Sequence, residues 1–436
     1  MMILRLAALM MAFALPVRAE IDIQTVVSPG GIKAWLVEDH NIPFTALEIR
    51  FRGGTSLDAE GKRGAVNLMS ALIEEGTGDL DSQGFARARD SLAADFSFSA
   101  DEDQVSVSAR FLTENRDEAI DLLRRALTEP RFDAEAVERV RGQVLANIRS
   151  DAKDPGSLAG KELRAIAFGT HPYGSDGDGT IESVTALTRD DIVAAHMAAL
   201  ARDRIYVSAA GDVSAADLGP ILDRLLGSLP ETGAPIPDRA VVNLSGGITV
   251  KDFPGPQSTV IFAHEGMKRD DPDFFAASLL NEIMGGGRFG SRLMSEVREK
   301  RGLTYGIGSY LVGYDLAELY MGQFSSANGT VGEAIQVIRD EWRRISESAV
   351  TEEELATAKT YMTGSYPLRF DGNGRIASIL VGMQMIGLTP DYPKTRNDKV
   401  NAVTMEDIQR VAKRLYRPDD LRFVVVGRPD GVATTE

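Results

Sequence analysis

Apolar and polar positions alternate in short runs that are separated by longer stretches with helical spacing. Residues 32–39 (IKAWLVED) and 44–51 (FTALEIRF) predict two strands joined by a short turn, and residues 104–111 (QVSVSARF) alternate as a half-buried strand. The other predicted elements of this unit are helices at 64–75, 116–127, 134–150 and from Thr188 onward, and a strand at 205–210. Strands followed by long helices predict an α+β fold, with helices packed mainly on one face of an antiparallel sheet.

The second half of the chain repeats this order. The string TRDDIVAAHMAALARDRIYVSAAGD runs from Thr188 through Gly211, and TMEDIQRVAKRLYRPDDLRFVVVGR runs from Thr404 through Gly427, so threonine and glycine lie 23 positions apart in both copies. A repeat of this length predicts a tandem pair of homologous domains rather than a short solenoid repeat. The predicted first domain, Pro- and Gly-rich linker and second domain are residues 20–228, 229–247 and 248–436.

The first nineteen residues have the features of a secretory signal. Arg5 precedes an apolar run at 6–15, and Val17-Arg18-Ala19 matches the small-residue cleavage rule. We therefore expect an exported, periplasmic protein. The apolar run is too short for a membrane anchor, so we expect no membrane span after signal cleavage.

Composition excludes several kinds of site and partner. The 436 residues carry a formal net charge of −16 and no cysteine, so the chain has neither disulfides nor thiolate metal ligands. An anionic chain without a basic tract is repelled by phosphate backbones, and we expect no nucleic-acid partner.

The segment 285–310, GGGRFGSRLMSEVREKRGLTYGIGSY, carries the candidate chemistry. Ser291 is predicted as the N-cap of a helix with an apolar stripe, and Gly302 as its left-handed stop. A strand is predicted from Leu303 onward, and the intervening turn would bring the Tyr305 hydroxyl toward the Arg298 guanidinium. A phosphate loop is excluded at the triple glycine, because no Lys-Ser/Thr follows it.

The string SRLMSEVREKRGLTY resembles a segment in the second half of pitrilysin/insulinase-type zinc peptidases. There it ends in the Arg and Tyr that contact substrate beside the metal. The resemblance implies that Arg298 and Tyr305 are catalytic in trans, at a zinc held by another subunit. It assigns substrate binding to Gly285, Gly286 and Gly287.

The first half lacks the inverted zinc motif of these peptidases, His-x-x-Glu-His. The corresponding string, GAVNLMSALIEEGT at 64–77, keeps the apolar spacing and the closing Gly-Thr. Asn67 and Ala71 stand in place of the two histidines, Ser70 in place of the catalytic Glu, and Asn147 at or next to the acidic ligand. Zinc requires three or four N, S or O ligands, so this degenerate motif predicts no metal and no cofactor in the chain. The four histidines, His40, His171, His196 and His264, are too scattered to replace it.

Three functions follow as hypotheses. The resemblance implies the Arg/Tyr subunit of a bacterial exported heterodimer that hydrolyses unfolded peptides, with zinc in a homologous partner carrying His-x-x-Glu-His. The alternative is a catalytically inactive peptide-binding or scaffold protein of the same fold without a proteolytic partner. An independent enzyme of another mechanism has no support, because the chain has no Gly-x-Ser-x-Gly elbow and no cysteine nucleophile.

Overall fold

The structure is a computed structural model that describes residues 21–348 and 350–435; the predicted signal at 1–19 lies outside them. Its strands are β1 (Gln24–Val27), β2 (Lys33–Glu38), β3 (Phe44–Arg52), β4 (Gly76–Thr77), β5 (Leu80–Asp81), β6 (Asp95–Ala100), β7 (Gln104–Leu112), β8 (Ile205–Gly211), β9 (Gly247–Asp252), β10 (Gln257–Glu265), β11 (Ile307–Gly313), β12 (Glu318–Ala327) and β13 (Arg422–Gly427).

The α-helices lie between these strands along the chain. In the first half they are α1 (Ala65–Leu72), α2 (Ser82–Ser91), α3 (Arg116–Thr128), α4 (Ala134–Asp151), α5 (Pro155–Phe168), α6 (Ile181–Ala186), α7 (Arg189–Ala199) and α8 (Ala215–Leu226). In the second half they are α9 (Phe274–Gly285), α10 (Val331–Ser348), α11 (Glu352–Gly364), α12 (Asn373–Met385), α13 (Tyr392–Ala402) and α14 (Met405–Leu415). None of the helices in the described ranges has the length and apolar character that a bilayer crossing requires.

The two halves share one strand order, which confirms the duplication. The first sheet runs β1-β2-β8-β3-β7-β6 and the second β11-β12-β10-β13-β9. Read from its other edge, the second sheet is β9-β13-β10-β12-β11, which matches β2-β8-β3-β7-β6 strand for strand. The first sheet adds only β1 at its edge.

Each sheet contains one parallel pair among antiparallel ones. β2 pairs in parallel with β8, and β9 with β13, while the other pairs of these two sheets are antiparallel. The chain between β2 and β8 contains helices α1 to α7, and the chain between β9 and β13 contains helices α9 to α14. A long crossover of this kind permits parallel pairing, which a hairpin does not.

The second face of each sheet is covered by a helix from the other half. Helix α5 of the first half packs its Ala159 and Leu163 against Ile261 and Val424 of the second sheet. Helix α12 of the second half lies on β3 and β8, where Ser208 Oγ donates a 2.6 Å hydrogen bond to the Ala377 carbonyl. The two halves are therefore joined by an exchange of helices as well as by the chain.

The connecting segment is fixed to both halves. Residues 230–246 contain no helix or strand. Within them, the Ala240 N–H donates to the Leu316 carbonyl at 2.9 Å, and the Asn243 N–H donates to the Ala167 carbonyl at 2.8 Å. The segment is thus hydrogen-bonded to the second half at Leu316 and to the first half at Ala167.

Candidate functional site

Helix α1 carries the three positions that the sequence aligns with the zinc motif, Asn67, Ser70 and Ala71. It begins after Gly64, whose φ of 96° lies in the left-handed region. The buried Asp58 carboxylate accepts hydrogen bonds from the backbone N–H groups of Gly64 (2.9 Å) and Val66 (2.8 Å). Burial raises the pKa of Asp58, while these N–H groups and Arg63 oppose the rise. The start of the helix is thus held by a side chain outside it.

The motif positions on this helix carry no metal ligands. Ser70 is buried and its hydroxyl donates to the Asn67 carbonyl at 2.9 Å, while Ala71 offers no donor atom. Asn147 is exposed on α4, and its side-chain oxygen accepts a 3.0 Å hydrogen bond from Gln143 Nε2. Across 21–348 and 350–435, no three His, Cys, Asp or Glu side chains are grouped so as to hold a metal ion. The residues present do not fit zinc.

The helix after the glycines differs from the prediction at its start. Helical turns begin at Arg292, and Met294–Glu299 forms a π-helix. Ser291 starts it through its carbonyl, which accepts from the Ser295 N–H at 3.0 Å, whereas its buried hydroxyl has no hydrogen-bond partner. The side-chain N-cap is therefore wrong. The predicted apolar stripe is confirmed, since Leu293, Met294 and Val297 are all buried.

The helix ends where the sequence predicts. Gly302 has φ +65°, and its N–H donates to the Arg298 carbonyl at 2.8 Å. The Leu303 N–H donates to the Val297 carbonyl at 2.9 Å. The final carbonyls are thereby satisfied, and the chain reverses toward the second sheet.

Thr304 fixes the loop that follows. Its buried hydroxyl lies 2.7 Å from the Ser325 carbonyl oxygen and 3.2 Å from the Gly306 N–H that donates to it. Tyr305, the next residue, is 87% exposed and belongs to the loop, since β11 begins only at Ile307. The loop therefore holds the phenol outward.

Arg298 and Tyr305 do not form the predicted donor pair. The Arg298 guanidinium lies over the exposed ring of Phe289, 4.7 Å from its centroid. In the described part of the chain, no hydrogen bond joins Arg298 to Tyr305. The guanidinium instead makes a cation–π contact with Phe289, which the spacing of Arg298 and Tyr305 along the chain does not predict.

A cleft of about 880 Å³ lies beside Tyr305. Its walls include the three glycines, the backbone of the edge strand β11, and polar side chains of β10 and β12. The lining residues that bear on its chemistry are Gly285, Gly286, Gly287, Tyr305, Tyr310, Gln257, Thr259, Gln323 and Ser325. Arg298 is not among the lining residues, so Tyr305 and the glycines meet at the cleft and Arg298 stands outside it.

A glycine at 285 is required by close packing. A Cβ there would lie 2.7 Å from the Ser309 backbone nitrogen, which is inside van der Waals contact. Gly287 has φ +82° and open space around it, so its constraint is conformational. The glycines thus let the end of α9 approach β11 and leave backbone exposed in the cleft.

The start of helix α5 completes the cleft from the first half, and sequence reasoning missed it. Asp154, Pro155 and Gly156 line the cleft. Asp154 caps this helix, accepting from the Ser157 N–H at 2.7 Å. The Asp-Pro pair signals a helix start in the sequence, but no local signal shows that this helix lies against the other half.

The four histidines have structural partners, and exposed His40 bonds the carboxylates of Asp212 at 2.6 Å and Glu38 at 3.2 Å. His171 Nε2 bonds the Asp238 carbonyl at 3.0 Å, and its Nδ1 accepts from the Tyr173 N–H at 3.2 Å, so this side chain packs within its loop. His196 is buried against the Leu127 carbonyl at 2.8 Å. The Trp342 indole N–H donates to His264 at 3.1 Å. None of these arrangements resembles a metal site.

Comparison with known families relates this chain to peptidases and to an inactive peptidase domain. Residues 33–178 match the family described as insulinase (peptidase family M16), and residues 186–362 match the peptidase M16 inactive domain. The chain belongs to peptidase family M16. A crystal structure of a peptidase M16 inactive domain from Pseudomonas fluorescens is 30% identical and superposes with a TM-score of 0.87, covering 95% of this chain and 99% of that one.

The relatives of this chain include one named as a non-peptidase and others named as zinc proteases. A non-peptidase homolog, YmxG, of Helicobacter pylori is 26% identical over 392 residues, 89% of this chain and 90% of that protein. An uncharacterized zinc protease of Streptomyces coelicolor is 25% identical over 395 residues, 88% of this chain and 85% of that protein. With Asn67, Ser70 and Ala71 at the motif, the present chain is a family M16 member without the peptidase metal ligands.

Proposed function

We propose that this chain is the zinc-free subunit of a periplasmic zinc metallopeptidase complex. Its partner is a homologous subunit that carries His-x-x-Glu-His and the zinc. The observation that carries the proposal is the outward Tyr305 phenol at the rim of a cleft lined by Gly285, Gly286 and Gly287, in a family M16 chain without metal ligands.

The cleft suits an extended peptide. It runs along β11, which is the edge strand of the second sheet, and exposes glycine backbone on its other side. Edge strands and open backbone bind extended peptides through main-chain hydrogen bonds, with little dependence on side-chain identity. This supports unfolded peptides as the substrate class.

Tyr305 would act on the carbonyl of the bond to be cleaved. Zinc in the partner would supply an activated water and polarise that carbonyl. As the carbonyl oxygen gains charge, the Tyr305 hydroxyl donates a hydrogen bond that is stronger in the transition state than in the bound peptide. Arg298 reaches the peptide backbone only after leaving the Phe289 ring, so its role requires a rearrangement on substrate or partner binding.

The test is reconstitution. The chain is purified alone, the His-x-x-Glu-His subunit of the same organism is purified alone, and each is assayed with a quenched unfolded peptide before and after mixing. We expect turnover only in the mixture, together with a stable complex on gel filtration. Full turnover by the partner alone, unchanged by this chain, would overturn the proposal.

A scaffold function is the second candidate. The Arg298–Phe289 contact favours it, because a guanidinium held on a ring is not positioned for a substrate. In that case the chain binds peptide and complex formation with a zinc-bearing subunit does not occur. The same gel-filtration measurement separates the two functions.

A further inference from the structure

A second cavity, of about 530 Å³, opens among α9, α11, α12 and α13 of the second half. Three arginines line it, Arg269, Arg369 and Arg396, and no Asp or Glu does. Its other walls are aromatic and aliphatic. We call it the arginine cavity. An all-cationic lining is unexpected in a chain whose formal net charge is −16.

The charges of all three guanidinium groups act on one phenol, that of Tyr366. Burial raises the pKa of Tyr366 to about 12, and the charges of Arg396, Arg369 and Arg269 act against that rise. Arg396 lies over the Tyr366 ring at 4.4 Å, and Arg269 lies over Phe274 at 4.0 Å. The cations are therefore grouped around a common space.

In the described ranges, none of the three arginines forms an ion pair. Arg396 donates to the Met362 carbonyl at 2.7 Å, and Arg269 donates to the Tyr392 hydroxyl. Their neighbours behave differently, since Arg410 and Arg414 on α14 are bonded to Asp273 at 2.6 and 2.8 Å.

Arg396 is a half-buried arginine of this cavity, and its charge is the one that burial disfavours most clearly. Burial lowers the pKa of its guanidinium, which remains charged at neutral pH. Its partners are neutral, the Met362 carbonyl and, at 2.9 Å, the Asn397 side-chain oxygen, so an anion in the cavity would add a charged hydrogen bond that the chain itself does not supply. Guanidinium groups recognise the planar carboxylate through paired hydrogen bonds, and the aromatic rings suit an apolar group next to it.

Helix α9 connects this cavity to the cleft beside Tyr305. Phe275 and Ser278 line the arginine cavity, and Asn281 and Glu282 line the cleft. All four are half-buried residues on one stripe of the helix. From Phe275 to Glu282 the rise is about 10 Å, a distance that about three extended residues cover.

We propose that the arginine cavity binds a peptide carboxylate, with the neighbouring apolar side chain against its aromatic wall. The peptide would then extend along α9 into the cleft. The choice of a peptide rests on the proposed function, and the carboxylate site rests on the arginines alone. Both a C-terminal carboxylate and an acidic side chain carry this chemistry.

The experiment measures peptide binding to the purified full chain without any zinc-bearing subunit. Three apolar heptapeptides with an N-terminal fluorophore are compared by fluorescence anisotropy: a free acid, its C-terminal amide, and an amide with one internal glutamate. We expect the plain amide to bind at least about tenfold more weakly than the free acid, as for one lost charged hydrogen bond. The glutamate peptide identifies the source: binding like the free acid assigns a side chain, and weak binding assigns the C-terminus.

Variants locate the site. Arg369 is exposed and its side chain makes no hydrogen bond in the described structure, so Arg369→Ala should fold normally and weaken free-acid binding about tenfold. Arg375→Ala is the matched control, because Arg375 is exposed at the start of α12 and does not line the cavity. Arg396→Gln, checked by circular dichroism, should weaken binding further.

Equal binding of free acid and plain amide, no binding of any peptide, or an unchanged affinity in Arg369→Ala would each overturn the arginine-cavity proposal. Its failure is separable from failure of the proposed function. Peptide binding to the isolated chain can fail while turnover in the mixed complex persists, and turnover can be absent while the isolated chain binds the free acid.

Discussion

A single buried hydroxyl, that of Thr304, determines how Tyr305 is presented. Thr304 bonds backbone groups of β12 and of its own loop, so the adjacent phenol is directed away from the sheet. The sequence predicts both residues as strand, because threonine and tyrosine favour extended structure. The hydroxyl instead competes for backbone hydrogen bonds and delays the strand to Ile307.

Replacing this hydroxyl by a methyl group should destabilise the loop. Thr304→Val keeps the shape of the side chain but leaves the Ser325 carbonyl and the Gly306 N–H without this partner, at a cost of about 1–2 kcal/mol. Urea unfolding measures the loss. Thr360→Val, on an exposed helical surface, is the control and should cost less than half as much. Equal midpoints for the two variants would show that the loop does not depend on Thr304.

The segments with clear periodicity could be predicted closely. Strand 44–51 appears as Phe44–Arg52, and helix 134–150 as Ala134–Asp151, because burial on one face imposes a period of two or of 3.6 residues. The π-helical turns after the glycines could not be predicted, since the same apolar stripe suits either winding. Loop geometry around Arg298 depends on Phe289, and a pattern of apolar positions does not show which ring a guanidinium contacts.

The helix stop at Gly302 offers a test of local backbone strain. A Cβ at 302 would meet nothing within 4 Å, so any cost of Gly302→Ala comes from the left-handed φ of +65°. We expect a loss of about 1 kcal/mol in the free energy of unfolding. Gly306→Ala is matched, with equal open space and no left-handed conformation, and should be near neutral. A neutral Gly302→Ala would mean that the turn relaxes to another shape.

The sequence did not predict that each half would pack one of its helices on the sheet of the other half. The apolar positions of helices α5 and α12 are visible in the sequence, but they do not show against which sheet each helix packs. The small side chains of Ala46, Ala210 and Ala377 allow α12 to approach the first sheet closely. Such complementarity exists only between distant segments, so it appears only in the folded chain.

A hydrogen-bonded junction at Asp103 joins the halves and should respond to pH. Its carboxylate accepts from the Tyr173 hydroxyl and, at 3.0 Å, from the Asp315 N–H, while Arg52 pairs with the Asp315 side chain at 2.5 Å. Burial raises the pKa of Asp103 to about 6, and the Asp315 charge adds to the rise. The protonated form is therefore the one that the folded state favours.

The contribution of Asp103 to stability should consequently fall as pH rises from about 4 to about 6. The folded state binds the Asp103 proton more tightly than the unfolded chain does, so its contribution is present at the acidic end and lost above the folded pKa. The loss is on the order of 2–3 kcal/mol. Urea unfolding at pH 4.5 and 7 measures it, and Asp103→Asn should reduce the difference by that amount. An identical pH profile in the variant would place the titrating group elsewhere.

The most direct measurement of the proposed function is the turnover number of the reconstituted complex with wild-type chain and with Tyr305→Phe. The variant keeps the ring and removes only the hydroxyl, and the loss of one oxyanion donor predicts a decrease in kcat of about 10²-fold with the complex intact. Tyr310→Phe is the control, because it removes a second hydroxyl from the same cleft and should leave kcat within about twofold. Equal kcat for wild type and Tyr305→Phe, in complexes of equal stability, would contradict a catalytic role for this chain.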